Sequence, residues 1–255
     1  MKIAQIIFSP TGGTQRVADL LCAQWGGDIR RIDLSNAHFD FDSVRLEPEE
    51  LVVIAVPSFE GRVPALAIQR LSRIHGDGQR CVLVCVYGNR AYEDTLIELR
   101  DAAEQSHFRV IAAVAAVAQH SIMTQYAAGR PDASDAQELQ RFAQGISEKL
   151  DNPDACAQPV QVPGNRPYKK VGGVSLVPQA NGRCVGCGLC AQNCPAQAIS
   201  PDHIKTADAK ACIACMRCVA QCPHAARKVN QAIVAVAALS LKKVCSQRKS
   251  NELFV

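Results

Sequence analysis

The chain has 255 residues, a formal charge of +4, and 48% hydrophobic against 20% charged residues. That is enough apolar material for one large core or two ordinary ones, and it excludes a disordered chain. The longest apolar stretches, Ile111–Ala118 and Ala232–Leu241 (interrupted by Ser240), fall well short of the roughly 18 residues of a spanning helix, which excludes membrane insertion. The N-terminus, one lysine and then the apolar run Ile3–Phe8, is not a secretory leader, so a cytoplasmic protein is expected.

Strand and helix signals alternate over residues 1–150. Apolar runs at Ile3–Phe8, Leu51–Pro57, Cys81–Tyr87 and Val110–Ala118 predict buried parallel strands, with a shorter one at Ile29–Leu34. Amphipathic stretches at Gln15–Trp25, Pro64–Ile74, Tyr92–Gln105 and Ala133–Leu150 predict the connecting helices. Five strands with intervening helices imply an α/β, doubly wound, parallel five-stranded sheet.

The first strand runs through Ser9-Pro10-Thr11-Gly12-Gly13-Thr14 straight into a helix. Hydroxyls of Ser9, Thr11 and Thr14, with the flexible backbone of Gly12 and Gly13, suit a phosphate held at a helix N-terminus. No lysine stands in the loop, which disfavours a nucleotide P-loop, and no G-x-G-x-x-G is present. In a doubly wound sheet, ligands bind at the carboxyl ends of the strands, and two further loops lie there. One is Pro57-Ser58-Phe59-Glu60-Gly61-Arg62-Val63-Pro64; the other is Tyr87-Gly88-Asn89-Arg90-Ala91-Tyr92-Glu93-Asp94. Each offers aromatics, glycine and polar groups for a flat heterocycle. Tyr92 is the first choice for stacking and Phe59 the second, although either alone would read as a turn aromatic packed on the core. The phosphate loop resembles that of flavodoxin, [ST]-x-T-G-x-T. The resemblance implies a flavodoxin-like domain binding FMN.

Asp151–Ala180 holds five prolines and three glycines, and reads as a connector without helix or strand. Tyr168, Val171, Val174, Leu176 and Val177 are its candidate anchors. Eight of the thirteen cysteines follow in residues 181–229: Cys184, Cys187, Cys190 and Cys194, then Cys212, Cys215, Cys218 and Cys222. Each block is C-x2-C-x2-C-x3-C-P, and the second repeats the first at an offset of 28 residues. Clustered thiols in a chain without a leader point to metal, and three in one short loop suit an iron–sulfur cluster better than zinc ribbons, which pair C-x2-C units. Cys22, Cys81 and Cys85 read as core thiols. Cys156 and Cys245 are candidates for exposure, but nothing near them would activate a thiolate.

The two blocks resemble bacterial two-cluster ferredoxins, a small α+β fold. The resemblance implies two 4Fe–4S clusters with crossed ligands: Cys184, Cys187 and Cys190 with Cys222, and Cys212, Cys215 and Cys218 with Cys194. Each oxidised cluster with its thiolates carries about −2, so two offset the formal +4, and the basic balance is no argument for nucleic acid. Residues 230–255 read as a helical extension and a solvated basic tail with Lys242, Lys243, Arg248 and Lys249.

Taken whole, the chain resembles prokaryotic fusions of a flavodoxin-like domain to a two-cluster ferredoxin. Tyr87–Asp94, Gly129-Arg130-Pro131-Asp132 and Pro163-Gly164-Asn165-Arg166-Pro167-Tyr168 add to that likeness. It further implies that His120 and Ser121 reach the flavin edge, although a histidine ending a strand is more often a plain loop residue. The expected function is electron transfer between the clusters and FMN, with a redox partner protein or a small-molecule acceptor outside. The alternative is an FMN-dependent reductase fed by the clusters, with His120, Glu60 or Glu93 as proton donor.

Overall fold

The computed structural model describes residues 1–172 and 176–255, so the predicted anchor Val174 lies outside the described residues. Five parallel strands form the N-terminal sheet: β1 (Ile3–Ile7), β2 (Ile29–Asp33), β3 (Leu51–Pro57), β4 (Arg80–Tyr87) and β5 (Arg109–Val117). Their spatial order is 2-1-3-4-5, the flavodoxin order, with its switch point between β1 and β3. Because helices cover both faces, the strands bury both sets of alternate side chains. Ala4, Ile6, Val52, Ile54 and Leu83 face one core with α2 (Ala65–Leu71) and α3 (Thr95–Gln105). Ile3, Ile7, Val53, Ala55 and Val84 face the other with α1 (Gly13–Cys22) and α4 (Ala133–Leu150).

The connector begins as a short helix, α5 (Pro153–Ala157), and Asn152 accepts a hydrogen bond from its amides. Further on it is pinned to the helix face by side chains. The Asp94 carboxylate accepts from the amides of Asn165 (2.9 Å) and Lys169 (2.7 Å), and Asp101 holds both Arg166 and Tyr168. Gly164 runs so close to α3 that a Cβ there would stand 2.3 Å from Ile97 Cγ2, which requires glycine at its φ of +136°.

The cysteine-rich segment contributes β6 (Gln179–Ala180), α6 (Leu189–Gln192), α7 (Arg217–Ala220) and β7 (Arg227–Lys228), with β6 antiparallel to β7. It rests on the α/β domain. Arg70 donates to the carbonyls of Leu34 and Pro195, both at 2.6 Å, and Arg217 pairs with Asp33 at 3.7 Å. A third core joins Met123 and Tyr126 after β5, Met216 of the cysteine segment, and Val234 and Ala238 of α8 (Gln231–Cys245).

Three expectations change here. Residues 151–180 are not free of regular structure, since α5 opens the connector and β6 closes it. The C-terminal residues are not a solvated tail. Glu252–Phe254 form β8, antiparallel to β5, so the sheet gains a sixth strand. Buried Asn251 accepts from the Val117 amide, Arg248 pairs with Asp132, and Lys249 reaches the carbonyl of Arg90. Cys156 and Cys245 are buried, not exposed: Cys156 of α5 packs against α4, its thiol donating to the Lys149 carbonyl, and Cys245 faces the third core. Burial also pushes the Cys22 thiol up to about 11 and those of Cys81 and Cys85 higher still, as inert core thiols require. No helix among the described residues is long and apolar enough to cross a membrane.

Candidate functional site

The cysteines separate into two small cavities, and not by sequence block. One is lined by Cys194 together with Cys212, Cys215 and Cys218; the other by Cys184, Cys187 and Cys190 together with Cys222. The local chain explains the crossing. Each block's loop of three cysteines ends in a one-turn helix, α6 or α7, which carries the fourth thiol away toward the other block. The loops need left-handed residues: Gly186 and Gly188 in the first block (φ +74° and +78°), Ala214 and Met216 in the second (φ +50° and +62°). These pairs are related by the 28-residue offset, so the second block holds the same geometry at a cost of about 1 kcal/mol or more per non-glycine residue.

The donor set fits an iron–sulfur core. Each cavity gathers four free cysteines, the ligand count of a 4Fe–4S cluster, although burial pushes Cys215 up to about 11 and Cys218 up to about 12. Burial also works against ionisation of Cys222, but amides of Ala226, Arg227 and His224 turn toward its sulfur and lower it below the usual thiol range. Cys194 Sγ accepts from the Ala198 amide at 3.3 Å, and Cys222 Sγ accepts from the Ala226 amide at the same distance.

A third cavity, of about 760 Å³, opens at the carboxyl ends of β1, β3, β4 and β5. Its floor is the loop before α1, where Gly12 takes φ +89°. The amides of Thr11, Gly12, Gly13 and Thr14 have no acceptor among the described residues, while those of Gln15 and Arg16 are satisfied by Ser9 Oγ and the Gly12 carbonyl. Unsatisfied amides at a helix start form a cradle that fits a phosphate. Thr11, Gly13, Thr14, Pro57, Ser58, Phe59, Gly61, Tyr87, Gly88, Arg90, His120 and Ser121 all line this cavity. At Gly88 a Cβ would stand 2.7 Å from the His120 ring, so glycine lets the two loops close up.

His120 Nδ1 accepts from the amides of Ile122 and Met123, at 3.1 and 3.2 Å. The ring proton therefore sits on Nε2, and burial, with nearby Arg90, lowers the pKa further. His120 is a neutral N–H donor at neutral pH.

Three expected residues lie elsewhere. Tyr92 precedes α3 instead of opening it; its ring packs edge-on against Tyr87 and its hydroxyl bonds Glu252 at 3.0 Å, so it does not line the cavity. Asn89 turns the other way and donates to the carbonyls of Cys245 and Gln247, both at 2.8 Å. Ser9 caps the Gln15 amide, serving the helix instead of the cavity. The sequence reading also missed a wall: Ile213, Ala214 and Cys215 of the cysteine segment, with Leu241 of α8, face the cavity from the opposite side. No local pattern marks them, because their placement depends on the docking of the segment.

Residues 179–227 match the family model of the 4Fe-4S dicluster domain. This segment is a 4Fe–4S dicluster domain. No curated protein matches the chain. Among solved structures, the chain is similar to a flavodoxin from the domain Archaea (TM-score 0.43, 16% identity, 60% of this chain and 100% of that one). It is also similar to flavodoxin 1 from Bacillus cereus (0.41, 12%, 58% and 98%). A third is rubredoxin oxygen:oxidoreductase from Desulfovibrio gigas (0.44, 15%, 62% and 37%). The assignment of the α/β domain as flavodoxin-like rests on its strand order; the dicluster domain is docked over the carboxyl ends of those strands.

Proposed function

We propose that the chain is an electron-transfer iron–sulfur flavoprotein that relays single electrons between an external partner, two 4Fe–4S clusters and FMN. The clusters are held by the two crossed cysteine sets, and the FMN phosphate by the amides of Thr11–Thr14. When bound, the clusters exchange one electron at a time and FMN one or two. The chain positions both.

One observation carries this reading. Cys215 lines both the cavity shared with Cys194, Cys212 and Cys218 and the large cavity above the phosphate loop. Cys215, with Ile213, thus forms part of the wall between the two sites, and the pinned connector and Arg70 hold that wall in place. After rapid mixing of the anaerobically loaded protein with a cluster reductant, FMN should be reduced in a phase whose rate does not change with protein concentration. A rate proportional to protein concentration would mean transfer between molecules and would overturn the relay.

The phosphate loop has its own test. Thr11→Ala or Thr14→Ala should weaken FMN binding by roughly 1–3 kcal/mol through loss of a charge-assisted hydroxyl contact. Fluorescence titration of the flavin-free protein measures this, and iron content should stay unchanged. Wild-type FMN affinity in both variants would move the phosphate elsewhere.

The second reading, a reductase of a small molecule, is favoured by one feature: the neutral His120 donor beside the cavity. Glu93 does not serve there. Burial opposes its ionisation, but Lys169 and Arg90 overcome that and hold the carboxyl below its ordinary value.

A further inference from the structure

Arg227 is 2% exposed and lies among the ligand cysteines of the dicluster domain. The 28-residue repeat puts it where the first block has Ile199, each following Cys-Pro-x-x-Ala. Ile199 is buried and apolar, as a core position should be. Arg227 occupies the equivalent interior place with a full charge.

Its surroundings do not neutralise that charge. Nη1 donates to the Pro178 carbonyl at 3.0 Å, and Nη2 to the carbonyls of Ile204 and Thr206. Nε has no partner among the described residues, and no carboxylate lies within ion-pair distance there. Of the other two buried arginines, Arg130 meets Asp135 at 2.5 Å, whereas Arg70, at 8% exposure, donates to the carbonyls of Leu34 and Pro195 and has no carboxylate within ion-pair distance among the described residues. A buried cation without a counter-charge is strongly disfavoured. The nearest group able to become anionic is Cys190 Sγ, 3.8 Å from Nη2, and Arg227 lines the cavity of Cys184, Cys187, Cys190 and Cys222. Its backbone amide turns toward Cys222 as well.

We propose that Arg227 is the built-in counter-charge of the cluster held by Cys184, Cys187, Cys190 and Cys222, and raises that cluster's reduction potential. The step is the addition of one electron from an added low-potential reductant, with no proton transferred. The cluster and its thiolates pass from about −2 to about −3, so a fixed positive charge stabilises the reduced form more than the oxidised one. Arg227 lines the cavity of this set and not that of Cys194, Cys212, Cys215 and Cys218, so the second cluster feels a smaller effect. The inference rests on the dicluster assignment and is independent of the flavin.

The experiment is an EPR-monitored redox titration of anaerobically loaded Arg227→Gln and Arg227→Lys, with iron content measured alongside. Gln keeps hydrogen-bonding capacity and removes the charge; Lys keeps the charge and removes the planar fork. In Arg227→Gln one midpoint should fall by at least a factor of ten in the one-electron reduction constant, about 59 mV, and the other by less. Arg227→Lys should stay within a factor of three of wild type at both. If Gln fails to assemble clusters while Lys assembles them at wild-type potentials, the charge is again what the site requires. Unchanged midpoints in Arg227→Gln would overturn the proposal. So would equal shifts in both variants, or loss of clusters in both, because each would assign Arg227 to holding carbonyls in place.

Discussion

Cys194→Ala should leave the protein with about four iron atoms per chain, and the cluster lost should be the one belonging to Cys212, Cys215 and Cys218. Cys194 is only four residues from Cys190, so a reading by sequence neighbourhood would assign the damage to the first block. The cavities say otherwise. The helix turn after Gly188 carries Cys194 away from its own loop and into the wall completed by Cys212, Cys215 and Cys218. The cluster remaining should be the one on the far side from the flavin cavity, since among the cysteines only Cys215 lines that cavity. The concentration-independent phase of FMN reduction should therefore vanish although half the iron is retained. Iron and sulfide analysis with EPR of the reduced variant decides the matter. Retention of the Cys212 cluster with loss of the Cys184 cluster would return Cys194 to its own block.

Asp135→Ala should destabilise the α/β domain by about 3–5 kcal/mol, the range for removing one partner of a buried charge pair. Asp135 is 1% exposed and gathers several donors. Arg130 Nε and Nη2 reach its two oxygens at 2.9 and 2.5 Å, and the Asp132 amide, Asn251 and Arg248 complete the shell. It also closes the capping box at the start of α4. Truncation leaves the buried Arg130 guanidinium without its carboxylate and frees Asn251, so the amides of β8 should exchange faster as well. Burial opposes ionisation of Asp135, but Arg130 and the other donors outweigh it and hold the carboxyl below its ordinary value. The sign follows. Its contribution is complete above the unfolded carboxylate value of about 3.9 and is lost as pH falls through the lower folded value. The cost of Asp135→Ala should thus be full at pH 7 and shrink at strongly acid pH. Denaturant unfolding at neutral pH measures the first part; a cost below about 1 kcal/mol there would show that the node is dispensable.

What could be read from the residues alone follows from where the interactions lie. β1, β3, β4 and β5 stood out because a parallel strand buried on both faces is an unbroken apolar run. The phosphate loop was legible because strand, glycines and helix are contiguous. β8 was not: three residues, Glu252–Phe254, become a strand only because β5 offers an open edge. Tyr92 and Asn89 have the chemistry of ligand residues, yet the partners that turn them away, Glu252 and the Cys245 and Gln247 carbonyls, lie about 160 residues onward in the chain. The connector's composition marked it as a linking segment, but its anchoring through Asp94 and Asp101 is a long-range fact. Arg227 needed both kinds of information, since the repeat marks the position and only the fold shows the charge to be buried there.

The late arrival of β8 has a consequence for biosynthesis. Val117 at the end of β5 and Asn251, just before its sealing strand, are 134 residues apart. At ordinary translation speeds of ~5–20 residues per second, roughly 7–27 s pass between their appearances. Throughout that interval the growing chain presents β5 as an open edge, the surface on which strands of neighbouring molecules pair. All eight dicluster cysteines, Cys184 to Cys222, leave the ribosome within the same interval, ahead of the strand that closes the sheet.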